Sequence, residues 1–279
     1  MCPIFKDNWV TYQEIDSEFK YNFGNFSHNT VGLQHAINQF KYLYDTTNLS
    51  AAITLSGGVD SQAVMLAAHL SKTPFQVYSL RFNNNLNEHD LLAGQLLANK
   101  LKIDINYVDI NILNFYTSER YLNYIHPYRN CSPQIAALLW FYEQLGTTSQ
   151  YVVASANPVI KHGNAFEGVN NYTLFAWERY SRINNVPIVG SFLWYSPELF
   201  GSLYRKFDEV QTDLYTTKCS IYQENGFEVI PQTQKYNGFE KVKEEFLKLY
   251  PRVYAPFDTF YRRPHEALYN LNTTFTGLD

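Results

Sequence analysis

The residues of this chain best suited to chemistry lie in one hexapeptide, Ser56-Gly57-Gly58-Val59-Asp60-Ser61. Two glycines permit backbone dihedrals closed to other residues and let a ligand approach the main chain. Serine hydroxyls at either end add hydrogen-bond donors. The apolar run 51–55 predicts a buried strand leading into the turn, and the dense apolar residues from Ala63 to Leu70 predict a helix leading out. The first N–H groups of that helix, with the positive end of its dipole, then face whatever sits in the loop. Such a loop suits an anion. Asp60 sharpens the reading, because a carboxylate beside a phosphate repels it unless a divalent cation joins the two; Mg²⁺ is therefore implied, with Asp60 as its ligand. The plainer alternative is a serine cap, a Gly-Gly turn and an aspartate that complements the helix dipole.

The elements that must position this loop follow from periodicity. Val31, Leu33, Ile37, Phe40, Leu43 and Tyr44 recur at three- and four-residue spacing, predicting an amphipathic helix over 31–44. After the loop helix, a strand at 75–82, a helix at 88–101 and a strand at 103–110 alternate. Ser132 offers an N-cap, Pro133 fits the first helical position and Gly146 supplies a stop, so a helix runs between them into a strand at 151–155. Strands alternating with helices imply right-handed crossovers and a parallel sheet covered on both faces. Beyond Pro158 the alternation is lost, and helices are predicted at 173–183, 197–210 and 239–250, the last with a Glu244–Lys248 pair. The division is thus an N-terminal extension (1–45), an α/β core (45–160) and a mainly helical region (161–279).

Composition excludes several classes. Among 279 residues, 22 Lys+Arg stand against 26 Asp+Glu, a net charge of −4 that argues against a nucleic-acid coat. At 46% hydrophobic and 17% charged the chain is expected to fold rather than remain disordered. No run has the roughly 18 apolar residues of a membrane helix, and the start lacks the pattern of a secretory signal. Cys2, Cys131 and Cys219 form no C-x-x-C pair and no zinc spacing, so a reducing, cytoplasmic setting fits and each reads as a small buried hydrophobe. No G-x-x-x-x-G-K-[ST] loop occurs, and no G-x-G-x-x-G follows a strand. The aromatic share of 17% leaves room for a tyrosine-rich contact surface, while the oligomeric state stays open.

The 56–61 segment resembles the S-G-G-x-D-S signature of the PP-loop, or N-type, ATP pyrophosphatases. The resemblance implies a Rossmann-like fold of the adenine nucleotide alpha hydrolase (HUP) type, with ATP and Mg²⁺ as cofactors. Ser56, Gly57, Gly58, Val59, Asp60 and Ser61 would cradle the pyrophosphate while a substrate oxygen attacks the α-phosphate and a nucleophile displaces AMP. Tyr78-Ser79-Leu80-Arg81-Phe82, followed by Glu88 and the helix ending Lys100-Leu101-Lys102, is most similar to the synthetase domain of asparagine synthetases, where the second strand passes the adenine. That implies a nucleotide contact at Leu80. It also implies a small acceptor bearing a carboxylate or amide, with ammonia or an amine as donor; a base in tRNA or another nucleic acid is the alternative acceptor, and a non-catalytic ATP-binding module the alternative to an enzyme.

Departures from that family matter. Its acidic stretch after the fourth strand would fall in 156–163, which holds no carboxylate. Lys161, in that stretch, is a candidate catalytic cation for the phosphates, or else a solvated loop lysine. The chain begins Met-Cys-Pro-Ile, but the stretch before Ser56 is shorter than the roughly 100 residues of an ordinary domain, so no glutaminase role is assigned to Cys2. Arg81, at the carboxyl end of the second strand, is a candidate catalytic or nucleotide contact, or else a surface ion pair. In the aromatic, cationic knot Tyr261-Arg262-Arg263-Pro264-His265, Arg262 and Arg263 are candidates to reach back over the ATP site or to hold an anionic acceptor, or else belong to a solvated tail packed by tyrosines.

Overall fold

The structure, a computed structural model, describes residues 5–15, 18–118, 120–125, 127–128, 133–145, 150–163, 165–167, 171–207, 213–231, 238–249 and 273–276. Near the N-terminus, β1 (Val10–Ile15) and β2 (Glu18–Phe23) form an antiparallel hairpin before α1 (Gly32–Thr47). The alternation then begins with β3 (Ser50–Thr54), α2 (Val59–Ser71), β4 (Phe75–Phe82), α3 (Glu88–Leu101) and β5 (Ile105–Ile110). It continues with α4 (Ile112–Thr117), α5 (Pro133–Gln144) and β6 (Gln150–Val153). Strands β4 and helix α3 match the bounds that the sequence predicts.

Beyond β6 come β7 (Ile160–His162), β8 (Ala165–Glu167), α6 (Asn171–Asn184), β9 (Ile188–Val189), α7 (Pro197–Leu203) and β10 (Arg205–Phe207). The chain ends in α8 (Leu214–Glu224), α9 (Gly238–Leu249) and β11 (Thr273–Thr276). One of the 161–279 expectations needs correction. The predicted helix at 197–210 stops at Leu203 and gives way to β10, which pairs with β7 and β8 in a small three-stranded sheet. On α9, Lys248 Nζ donates to Glu245 Oε1 at 2.6 Å, an i,i+3 pair, and the expected partner Glu244 acts on it as a nearby charge.

The main sheet has the order β5-β4-β3-β6-β9, and every neighbouring pair is parallel. This is a Rossmann-like arrangement flanked by helices. From β3 the chain moves outward through β4 to β5, then returns past β3 to β6 and β9 on the other side. Right-handed crossovers therefore put α2 and α3 on one face and α5 and α6 on the other. The order reverses between β3 and β6, the switch point outside which open α/β sheets bind ligands. The fifth strand, Ile188–Val189, lies beyond residue 160, so the sheet draws on the region that the sequence reading set apart from the core.

Why these residues build the sheet is plain from burial. Ala51, Ala52 and Ile53 are wholly buried in the central strand, and Val152 and Val153 beside them likewise. Helix α2 is buried on nearly all sides, from Val59 through Ala68, because α1, α3 and α8 also pack on it. Its small side chains, Ala63, Ala67 and Ala68, let three helices approach it at once.

The aromatic residues mostly serve the interior. Trp9 donates from Nε1 to the carbonyls of Trp194 (2.9 Å) and Tyr195 (3.0 Å), tying the N-terminal hairpin to the segment after β9. Around that tie Phe23 stacks on Phe200 at a centroid separation of 5.3 Å and Phe26 meets Phe200 edge-on at 5.0 Å. Tyr116, Tyr142, Tyr151, Tyr195, Tyr204 and Tyr222 are all fully buried, so the tyrosines expected at a contact surface include many core residues. Among the described residues no helix is long and apolar enough to cross a membrane.

Candidate active site

The loop begins where β3 ends. Leu55 donates its N–H to the Tyr78 carbonyl at 2.8 Å and accepts from Ser79 Oγ at 2.7 Å, which holds the chain in line with β4 until the turn. Gly57 then adopts a φ of +89°, and a Cβ there would lie 1.6 Å from the Asp90 carbonyl oxygen. Helix α3 thus packs directly on the turn, with Gly94 closing the approach. Gly58 differs: its φ of −65° and ψ of 157° suit any residue, and a Cβ would meet only Ser56 Oγ at 3.7 Å. Of the two glycines, the first is required by conformation and packing. The second leaves open space over the start of α2.

Gly58 caps α2 without a side-chain hydrogen bond. The first-turn N–H groups of this helix have no intrahelical acceptor, so its positive end is presented outward from the switch point. The two serine hydroxyls serve the loop itself. Ser61 Oγ donates to the Gly58 carbonyl at 2.8 Å and accepts from Ser56 N at 3.2 Å, and the two hydroxyl oxygens are 3.2 Å apart. The proton of Ser61 is therefore committed to the turn, whereas Ser56 is exposed.

Asp60 lies in the first turn of α2 and is 9% exposed. Both its oxygens are engaged by α8: Tyr222 donates to Oδ1 at 2.7 Å, and the Lys218 ammonium donates to Oδ2 in a close ion pair. Lys218 Nζ also donates to Asn157 Oδ1 at 2.8 Å, and Asn157 follows β6 on the other side of the switch point. Lys218 is 3% exposed and Tyr222 is wholly buried. Burial, and then the adjacent Asp60 carboxylate, pushes the Tyr222 phenol well above its ordinary pKa, so it stays a donor. Lys218 and Tyr222 stand four residues apart on one face of α8, whose N-cap Asp213 accepts from Thr216 N at 2.9 Å.

Gln62, fully buried, ties the loop to the chain beyond α8. Its Nε2 donates to the Gly57 carbonyl at 2.8 Å and the Ile230 carbonyl at 3.1 Å, and its Oε1 accepts from Ile230 N at 2.8 Å. Lys218, Tyr222, Asn157 and Gln62 escape the sequence reading. The available signal was Lys218 on the apolar stripe Tyr215, Cys219 and Tyr222, since a lysine amid such a stripe needs a buried partner.

Other sequence candidates fall elsewhere. Arg81 takes the ion pair named as its alternative: its Nε and Nη2 grip Asp109 of β5 at 2.6 and 2.9 Å, its guanidinium lies 4.8 Å from the Tyr107 ring centroid, and the pair is exposed. The bidentate partner holds the Asp109 carboxyl below the usual range. Leu80 is buried in the core, and its carbonyl accepts from Asn87 Nδ2 at 2.9 Å. Lys161 lies on β7, its ammonium 5.3 Å from the Phe166 ring centroid. Cys219 is free and buried, as expected of it. Arg262, Arg263, Cys2 and Cys131 lie outside the described residues.

The Mg²⁺ that the family resemblance implies does not fit at Asp60. Both oxygens of that carboxylate have donors, and the Lys218 ammonium already supplies the positive charge for which the sequence argument invoked a metal. Among the described residues no group of three or more His, Cys, Asp or Glu side chains could hold a metal ion.

Neither a protein-family model nor a curated protein sequence matches this chain. Solved structures do align with it. An NH3-dependent NAD synthetase from Campylobacter jejuni covers 81% of this chain and 79% of its own, with 14% identity and a TM-score of 0.35. An NMN synthetase from Francisella tularensis covers 81% and 98% respectively, with 16% identity and a TM-score of 0.37. A U34-tRNA thiolase from Methanococcus maripaludis covers 84% and 79%, with 10% identity and a TM-score of 0.37. At such identities and TM-scores, these likenesses carry no argument about family, substrate or reaction.

Proposed function

We propose that the chain is an ATP-dependent, AMP-forming ligase of the PP-loop type. One observation carries the reading: the Ser-Gly-Gly-Val-Asp-Ser turn stands at the carboxyl end of the central strand, at the switch point, below a helix N-terminus that has no side-chain cap. There the N–H groups of α2 and the exposed Ser56 hydroxyl would hold the β- and γ-phosphates of ATP. An oxygen of the acceptor, a carboxylate or amide, attacks the α-phosphorus; the bond to the bridging oxygen breaks and pyrophosphate leaves. Ammonia or an amine then displaces AMP and forms the new C–N bond. Such a reaction requires positioning and charge neutralisation more than proton transfer, which suits a site built from backbone donors and a fixed cation.

The acceptor side would be shaped by the segments after β6, from Asn157 through α8. An asparagine-synthetase-like acceptor remains the most specific form of this reading. A small acceptor is preferred to a nucleic acid because the chain carries a net charge of −4.

The test is pyrophosphate release from ATP across a panel of carboxylate and amide acceptors with ammonium present. AMP and pyrophosphate in equal amounts are expected from the correct acceptor. ADP and orthophosphate would overturn the reading. Tight ATP binding without turnover across the panel would favour the non-catalytic module instead, for which the missing carboxylate in 156–163 is the supporting observation.

A further inference from the structure

We infer that Lys218, and not a metal ion on Asp60, is the fixed cation of this nucleotide site. The inference rests on the nucleotide reading above but departs from what the loop motif implies. Asp60 offers two oxygens, and α8 takes both: Lys218 from one direction and Tyr222 from the other. A Mg²⁺ ion needs near-octahedral oxygen ligands at about 2.0–2.1 Å and gives up its waters reluctantly. To reach Asp60 it would have to displace a buried ammonium, leaving that charge with Asn157 as its only remaining partner among the described residues. A second carboxylate that could reward the exchange is absent from 156–163, where a neutral amide stands instead.

The charge balance points the same way. Paired with Lys218, Asp60 no longer repels a phosphate, so the dipole end and open N–H groups of α2 face the loop without an uncompensated anion beneath them. An ammonium has three donors, and two of them go to Asp60 and Asn157. The third has no acceptor among the described residues and is the one that an anion arriving at the switch point would take. Lys218 would therefore remove the repulsion of Asp60 and meet a phosphate through its remaining donor, while Asp60 and Asn157 position it. Any metal accompanying ATP would ride on the nucleotide itself.

Two measurements on the full chain test this. In the first, Mn²⁺ is titrated without nucleotide and free ion is followed by its electron paramagnetic resonance signal. The wild type is expected to leave the signal undiminished; suppression by the wild type that Asp60→Asn relieves would overturn the inference. In the second, ATP affinity is measured by calorimetry in EDTA and in excess Mg²⁺. The two dissociation constants are expected within about threefold of each other, and Lys218→Gln, checked for folding by circular dichroism, is expected to weaken binding in EDTA at least tenfold. ATP binding that needs Mg²⁺, or that is unaffected by Lys218→Gln, would overturn it. If Lys218→Gln does not fold, the wild-type comparison of the two buffers decides. No ATP binding in either buffer would defeat the nucleotide reading itself, and the Mn²⁺ titration would still decide whether Asp60 is a metal ligand.

Discussion

The 56–61 loop and helix α8 meet at Asp60, yet different physics holds each in place. The loop is shaped by its own backbone: a left-handed Gly57, a serine that closes on the Gly58 carbonyl, and a helix that starts without a side-chain cap. Helix α8 is local only at its Asp213 cap. It is placed by what its side chains find 158 and 162 residues away, Lys218 and Tyr222 on Asp60. A site assembled this way has one half that tolerates little change in conformation and another that tolerates little change in charge. That contrast can be tested directly.

The largest effect is expected from charge. Lys218→Met strands the buried Asp60 carboxylate, and removing one partner of a buried pair costs about 3–5 kcal/mol of stability. Adding Asp60→Asn to that variant should recover part of the loss, because no ion then remains unpaired. Urea unfolding of the two single variants and the double one measures the coupling. Losses that simply add would break the comparison, since α8 would then be held by packing alone.

Conformation comes next. Gly57→Ala places a methyl against the Asp90 carbonyl at a φ suited to glycine, and a loss of about 2–3 kcal/mol is expected. Gly58→Ala, with open space and an ordinary φ, should stay within about 0.5 kcal/mol. Equal losses at the two positions would show that the loop is not shaped as described.

The smallest effect depends on pH. The folded Tyr222 phenol titrates well above its unfolded value of about 10, so the stability it lends is complete below pH 10 and is lost as pH rises beyond it. Tyr222→Phe removes the hydrogen bond to Asp60, at a cost of about 1–2 kcal/mol near neutrality. The gap between variant and wild type should narrow above pH 10, as measured by denaturant midpoints from pH 8 to 11. A gap that widened would reverse the assigned direction.

Much of the fold is legible because its signals are local. The apolar run at 51–55, the exact alternation through β4 and α3, and the glycine turn are each decided within a dozen residues, and burial merely ratifies them. The small strands β7, β8 and β10 are only three residues long, too short for a period, and exist because they pair with one another. Arg81 shows the same limit in the site. Its place at a strand end is readable, but its partner Asp109 is set by the β4–β5 register, which brings the two residues side by side.

By itself, then, the sequence determined a parallel α/β core with a glycine turn after its first strand, because backbone preference and hydrophobic periodicity act over short stretches of chain. It also determined that the turn carries a carboxylate. Tertiary structure alone decided what that carboxylate does. Electrostatic neutralisation in a buried site depends on which charge arrives within hydrogen-bond distance, and a lysine 158 residues along the chain answers to no local rule. The motif argued for a metal because Asp60 looked unpaired; the fold supplies the ammonium that pairs it.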